Sequence, residues 1–437
     1  MRLNIPFIVL LLAYLVVGSL YALRTPDWQA PDEPAHYNYI AQIVDDGCCP
    51  VIEVGDWDQA YIEQLTGSEF DPSVLDRLDT VQYEDHQPPL YYLLSSVVYR
   101  FTNGSLLALR LFSALIGLGV VAVAYAVART LLSPALSLTA AAFVAFVPQH
   151  LAMLAAVNND GLSELLVGLS LLATLHYLQG RTKASWVLGV LVGIALVTKM
   201  NAAFLAGLIP LMILLHWWIH RSEISTVQML RSLFLFLLPV LLIGGIWWAR
   251  NLSVYGSPDF FGLGRHDLVV ADQPRTAEQI AAVGFGEYLR ASLERTFVSF
   301  WGQFGWMALP INDWMLLLVI GFSTLVVSGW LIGWFVRVPA AHNQRGLAWT
   351  LLVFTIIAAL AQYVYYNTEF YQMQGRYLFP MLIPLGVFVA LGLDGWRQLV
   401  FGRGEKWQWA TLLPVLVLLP LNLYIVWRVI PSLAPGN

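Results

Sequence analysis

The sequence predicts an all-α polytopic membrane protein of about 11 transmembrane helices, or 12 if residues 88–101 also cross. Two long extracytoplasmic loops carry interfacial helices. Three observations support that prediction. Of 437 residues, 58 % are hydrophobic and 12 % charged, about half the charged fraction of a soluble domain, and the mean hydropathy is +0.66. Apolar runs near the ~20 residues that a helix needs to cross a bilayer recur along the chain. The Lys and Arg residues between them gather on one side, as the positive-inside rule requires. With 17 Trp, a net charge of −5 and two Cys, the chain is no disordered segment, nucleic-acid binder or disulfide scaffold.

The expected spans are 5–23, 106–128, 134–153, 161–179, 184–198, 201–219, 229–249, 314–336, 347–366, 377–396 and 408–427. The first is read as a retained span, since no small-residue cleavage site follows it. Residues 88–101 form a 14-residue apolar stretch ending at Arg100, short enough to be interfacial or re-entrant. With the N-terminus cytoplasmic, the inner turns hold Arg2, Arg129, Arg181, Lys183, Arg221, Arg231, Arg337, Arg345, Arg397, Arg403 and Lys406. Counting 88–101 as a span would move Arg181, Lys183 and the 397–406 cluster outside. The whole chain, 1–437, is expected to form one transmembrane domain. Its first outer loop, 24–105, carries 15 of the 28 acidic residues and only Arg24, Arg77 and Arg100 as cations. Its second, 250–313, includes 277–301 with apolar residues at helical spacing, expected at the membrane interface. Adjacent cysteines close a disulfide only with strain, so Cys48 and Cys49 are expected to be unpaired or redox-labile.

Polar residues collect at the outer ends of the spans. Ionisable groups at membrane depth cost roughly 2.5–3.5 kcal/mol each and rarely persist without partners or a function. Asp32 and Glu33 follow Pro31 at the start of a helix over 32–43, where the dipole favours carboxylates. His36, one turn on, faces them. A carboxylate held this way can accept a proton from a hydroxyl or amine; a helix cap in an acidic loop is the alternative. His86 precedes two prolines and, with Glu84 and Asp85, can bind a metal or orient a substrate; an ordinary turn is the alternative. Asp160 follows two Asn at a helix start, where capping is the default. Lys199 and Arg376 lie outside, where the charge bias disfavours them, and suit a phosphate or snorkel to headgroups. No Walker motif or dinucleotide fingerprint is visible.

The acidic pair in PDEPAHYNYIAQI resembles the DE motif of GT-C glycosyltransferases, among them protein O-mannosyltransferases and the aminoarabinose transferase of lipid A. HQPPLYY at 86–92 is similar to their HPPLYY element, with Gln87 as an extra residue. NNDGL at 158–162, ALVTKMNAAFL at 195–205, SFWGQFGW at 299–306 and QGRYLFPMLIP at 374–384 extend the likeness in order. His36 departs from it, standing where many relatives have Arg. The resemblance implies a GT-C-like fold and an integral plasma-membrane enzyme with its active site on the outer face. It would move a sugar, with inversion, from a polyprenyl-phosphate donor to a lipid, glycan or protein acceptor. Asp32 would be the general base, supported by Glu33. Asp160 and His36 would bind near the acceptor or sugar, Lys199 and Arg376 would hold the donor phosphate, and Tyr377 would hydrogen-bond to it. His86 would touch the phosphate or a divalent ion. No cofactor is required on this reading, although a divalent cation is compatible with it and its ligands are unknown. The alternative is a membrane transporter or lipid-linked glycan flippase, which calls for mid-bilayer polar residues and paired broken helices; the spans here are apolar at their centres.

Overall fold

The computed structural model describes residues 4–182, 184–336, 343–402 and 404–436. The side chains of Arg2, Lys183, Arg337, Arg345 and Arg403, used in the charge argument, lie outside what it describes. In chain order the α-helices are α1 (Ile5–Arg24), α2 (Glu33–Asp45), α3 (Gln59–Gly67), α4 (Leu90–Thr102), α5 (Leu106–Arg129), α6 (Pro134–Phe146) and α7 (Pro148–Leu154). They continue with α8 (Asp160–Leu178), α9 (Ser185–Leu196), α10 (Leu205–Ile219), α11 (Thr226–Tyr255), α12 (Leu263–Val269), α13 (Thr276–Val283) and α14 (Phe285–Trp301). The last are α15 (Asp313–Val336), α16 (Asn343–Glu369), α17 (Leu382–Phe401), α18 (Leu412–Leu416) and α19 (Leu418–Tyr424). A two-residue antiparallel pair, Gln303–Phe304 with Leu309–Pro310, follows α14.

Nine helical segments among the described residues are long and apolar enough to cross a membrane, with a tenth if α6 and α7 count as one bent span. The expected count of 11 is not reached, for two physical reasons. At Pro148 the chain bends by 68°, because proline has no N–H to continue the helix. The freed carbonyls find other donors: His150 Nδ1 donates to Val144 (2.8 Å) and Asn422 Nδ2 to Phe146 (2.8 Å). The run at 184–198 folds as only the 12-residue α9, about 18 Å long. Its last residues unwind, and Lys199 is extended (φ −160°, ψ 141°). The carbonyl of Val197 accepts from Leu90 N (3.0 Å) and that of Thr198 from Asn159 Nδ2 (3.4 Å). Irregular backbone at membrane depth is tolerated only where protein or a cavity supplies such partners. The 88–101 stretch forms α4, which is too short to span. The predicted 277–301 helix is broken at Gly284, whose φ of 82° suits glycine.

The buried apolar core unites α1, α5–α10, α15–α17 and the C-terminal helices. A second, smaller core ties the two long loops, 24–105 and 250–313, together through Ala35, Tyr61, Leu65, Phe70, Tyr83, Val270 and Phe370. Arg275, ion-paired with Asp267 and Glu369, fastens this cap to the end of α16. Cys48 and Cys49, expected to be unpaired or redox-labile, are joined in a vicinal disulfide across a cis peptide.

Candidate active site

Four segments far apart in sequence supply one polar cluster at one end of the bundle. Asp32 comes from the turn after α1, Asp160 begins α8, Lys199 follows α9, and Arg376 lies in the short 3-10 turn before α17. Asp32 sits at the N-cap of α2 in the left-handed region (φ 65°, ψ 0°), and its side chain makes no capping bond. That conformation costs roughly 1–2 kcal/mol for a residue with a Cβ, and its neighbour holds it in place. Glu33 is fully buried and accepts from Arg110 Nε (2.8 Å), Arg110 Nη2 (2.5 Å) and the Val157 N–H (3.1 Å). Arg110 also donates to the carbonyls of Ala22, Thr25 and Pro26 at the end of α1. This bidentate pair, with its remaining donors satisfied, is the geometry in which a buried ion pair persists.

With Glu33 held from behind, the Asp32 carboxylate turns the other way. It accepts from Tyr83 Oη (2.7 Å) and from Arg376, 344 residues away. Lys199 Nζ donates to Asp160 (2.6 Å), and the Asp160 charge also interacts with Arg376 and His36. His36 bonds the Tyr92 hydroxyl (2.8 Å). The Tyr377 ring lies 5.3 Å from the Arg376 guanidinium and edge-on to Tyr366. Gly375 is needed here, since a Cβ would come within 2.3 Å of the Phe300 backbone; its N–H donates to Ser299 Oγ (2.8 Å).

Electrostatics divides these groups. Burial pushes the Asp32 carboxyl up, but the Arg376 charge, the nearby His36 ring and the hydrogen bonds from Arg376 and Tyr83 outweigh it, and its pKa falls to about 2. Burial lowers His36, against the pull of Glu84, so the ring is driven towards neutrality. Burial raises the Glu84 carboxyl, with Asp32 adding to the effect. Lys199 is raised despite burial, because Asp160 and Glu84 hold its charge. The cluster therefore pairs an anion with each cation.

The structure brings Asp32, His36, Asp160, Lys199, Arg376 and Tyr377 together. Glu33 is directed into the Arg110 brace instead. His86 faces the second loop: its Nδ1 donates to the Tyr83 carbonyl (3.1 Å) and its ring lies 4.3 Å from that of His266. Burial lowers His86 to about 4. Asp85 accepts from Gln42 (2.8 Å), and burial raises its carboxyl to about 8. Among the described residues no group of three or more His, Cys, Asp or Glu side chains is arranged for a metal ion. Sequence reasoning missed Arg110 and Tyr83, and it gave Tyr92 no role. Arg110 had a readable signal, a lone cation inside an otherwise apolar span. The tyrosines had none, because each meets its partner only through the tertiary fold.

This architecture, with charged and polar side chains at the ends of several helices beneath a two-loop cap, has the fold of the two solved GT-C structures that follow. Residues 86–243 match the family model described as dolichyl-phosphate-mannose-protein mannosyltransferase. The chain superposes on ArnT from Cupriavidus metallidurans bound to undecaprenyl phosphate with a TM-score of 0.53 and 15 % identity, covering 98 % of this chain and 73 % of that one. It superposes on the apo oligosaccharyltransferase of Archaeoglobus fulgidus with a TM-score of 0.54 and 13 % identity, covering 98 % of this chain and 56 % of that one. No curated protein matches the sequence.

Proposed function

We propose that the protein is an inverting glycosyltransferase of the plasma membrane that moves a sugar from a polyprenyl-phosphate donor to an acceptor at the outer face. The acceptor is a lipid, glycan or protein. The reading rests above all on one observation: Asp32 and Arg376, at opposite ends of the sequence, are paired beside the Asp160–Lys199 pair. The family match at 86–243 and the polyprenyl-phosphate-bound relative support the donor class.

The geometry suggests how the groups divide the work. Arg376 and Lys199 hold the phosphate by charge-assisted bonds, with the Tyr377 hydroxyl as a further donor. These cations are engaged by carboxylates in the resting site, so an arriving phosphate competes with Asp32 for Arg376. As that pair loosens, the Asp32 pKa rises from about 2 and the carboxylate becomes a better base. The acceptor O–H then gives its proton to Asp32 while its oxygen bonds to the anomeric carbon. The bond from that carbon to the phosphate oxygen breaks with its electron pair. The departing polyprenyl phosphate is stabilised by the same two cations. Because they supply that charge, transfer is expected to persist in a chelator such as EDTA.

The test is transfer from a synthetic polyprenyl-phospho-sugar to cell-envelope acceptors by the purified protein. Asp32→Asn is expected to lower turnover by about 10²–10⁴-fold, the usual contribution of a positioned base. Arg376→Ala is expected to weaken donor binding by about 10–100-fold, on a charged hydrogen bond worth ~1.5–3 kcal/mol. Undiminished turnover by Asp32→Asn would end the proposed role of Asp32.

A further inference from the structure

The polar cluster extends beyond the groups used above, into a part that no step of the reaction employs. Glu84 is half-buried and the Gln87 amide acts on its carboxylate, while its Oε2, shut off from solvent, has no partner. Gln87 also contacts His86 Nε2 (3.4 Å). On its other side its Oε1 accepts from Asn159 Nδ2 (3.3 Å). That same Asn159 amide nitrogen reaches Tyr92 Oη (3.3 Å) and the Thr198 carbonyl (3.4 Å). All the donor capacity of Asn159 is thus spent inside the protein, while its Oδ1, fully buried, has no partner either. Gln87 connects two side chains that each present one free acceptor oxygen, and Glu84 lies close enough to Asp32, His36 and Lys199 for their charges to interact.

Leaving a buried acceptor without a donor costs ~1–3 kcal/mol, more for a charged group. Persistent orphans of this kind call for a ligand or ordered water. Phosphate does not fit, since it brings only acceptors and negative charge. The match is a group that brings O–H or N–H donors and no negative charge.

We propose that Glu84 and Asn159, linked by Gln87, form the subsite for the ring of the transferred sugar, and that they select a neutral or amino sugar with free hydroxyl or amino donors over a uronic acid. The proposal rests on the glycosyltransferase reading and deepens it.

The experiment measures the affinity of the full chain in lipid nanodiscs for three probes: polyprenyl monophosphate, polyprenyl-phospho-hexose and polyprenyl-phospho-hexuronate. The hexose is expected to improve affinity over the bare monophosphate by tenfold or more, and the uronate to give no gain. In Glu84→Gln and Asn159→Leu the hexose gain, read against each variant's own affinity for the monophosphate, is expected to vanish. Binding of the monophosphate by each variant also shows that it folds. A hexose gain retained in both Glu84→Gln and Asn159→Leu, no hexose gain in wild type, or a uronate preferred over the hexose would each overturn the subsite. Failure of the wild type to bind polyprenyl monophosphate at all would instead overturn the glycosyltransferase reading on which it rests.

Discussion

At the scale of single residues, the site is held by what lies behind it. Glu33 and Asp32 are neighbours in sequence, yet one is enclosed by Arg110 and the other faces Arg376. Removing Arg110 leaves a buried carboxylate unpaired, which typically costs ~3–5 kcal/mol. Arg110→Met is therefore expected to lower the thermal midpoint by several degrees and to reduce transfer by misplacing Asp32; an unchanged midpoint would refute the brace. Titration gives a second check. Asp85 ordinarily titrates near 3.8 and is raised to about 8 in the fold. Between those values the folded protein keeps a proton that the unfolded chain has lost, so this group makes stability fall as pH rises from about 4 to about 8. Asp85→Asn is expected to raise the thermal midpoint at pH 7.5 and to leave it unchanged near pH 4. Asp32 has the opposite sign: lowered to about 2 from 3.8, it contributes stability above pH 4 that is lost as pH falls through about 2. The chemistry-bearing residue types were legible in the sequence because charges are rare in apolar chains. Their pairings were not, because Asp32 and Arg376 meet across 344 positions.

At the scale of elements, helix contacts depend on small residues, as membrane packing favours. A Cβ on Gly395 of α17 would lie 1.8 Å from the carbonyl oxygen of Gly329 on α15, and one on Gly189 of α9 would lie 2.1 Å from that of Phe236 on α11. Gly395→Ala is expected to destabilise the protein by about 1–3 kcal/mol, as overpacking does. Gly207→Ala on α10, with nothing within 4 Å, is expected to be neutral or slightly stabilising. Comparison of the two thermal midpoints in detergent checks the pair. Most span boundaries could be read from hydropathy, since α1, α5, α8 and α15 follow their apolar runs closely. The bend at Pro148 and the early end of α9 could not. Hydropathy counts apolar residues, whereas these breaks depend on distant donors, Asn422 for one and Leu90 and Asn159 for the other.

At the scale of the whole molecule, the two long loops behave as one cap because side chains stitch them together. Arg250 donates to the carbonyls of Cys49 and Pro50, and Arg265 to that of Ile52 (3.2 Å). Arg250→Ala is expected to speed amide hydrogen exchange in residues 46–56 and 250–266 together; acceleration in only one of the two would show that they are independent. The unwound end of α9 sets a limit on how this cap can move. The Val197 carbonyl has its donor in Leu90, at the start of α4, and lipid offers no replacement. Swinging the first loop aside would strand that oxygen at a cost of several kcal/mol. The roof is bolted to the wall at this corner, so a prenyl-tailed donor of the kind proposed would have to slip in sideways between helices rather than descend from above.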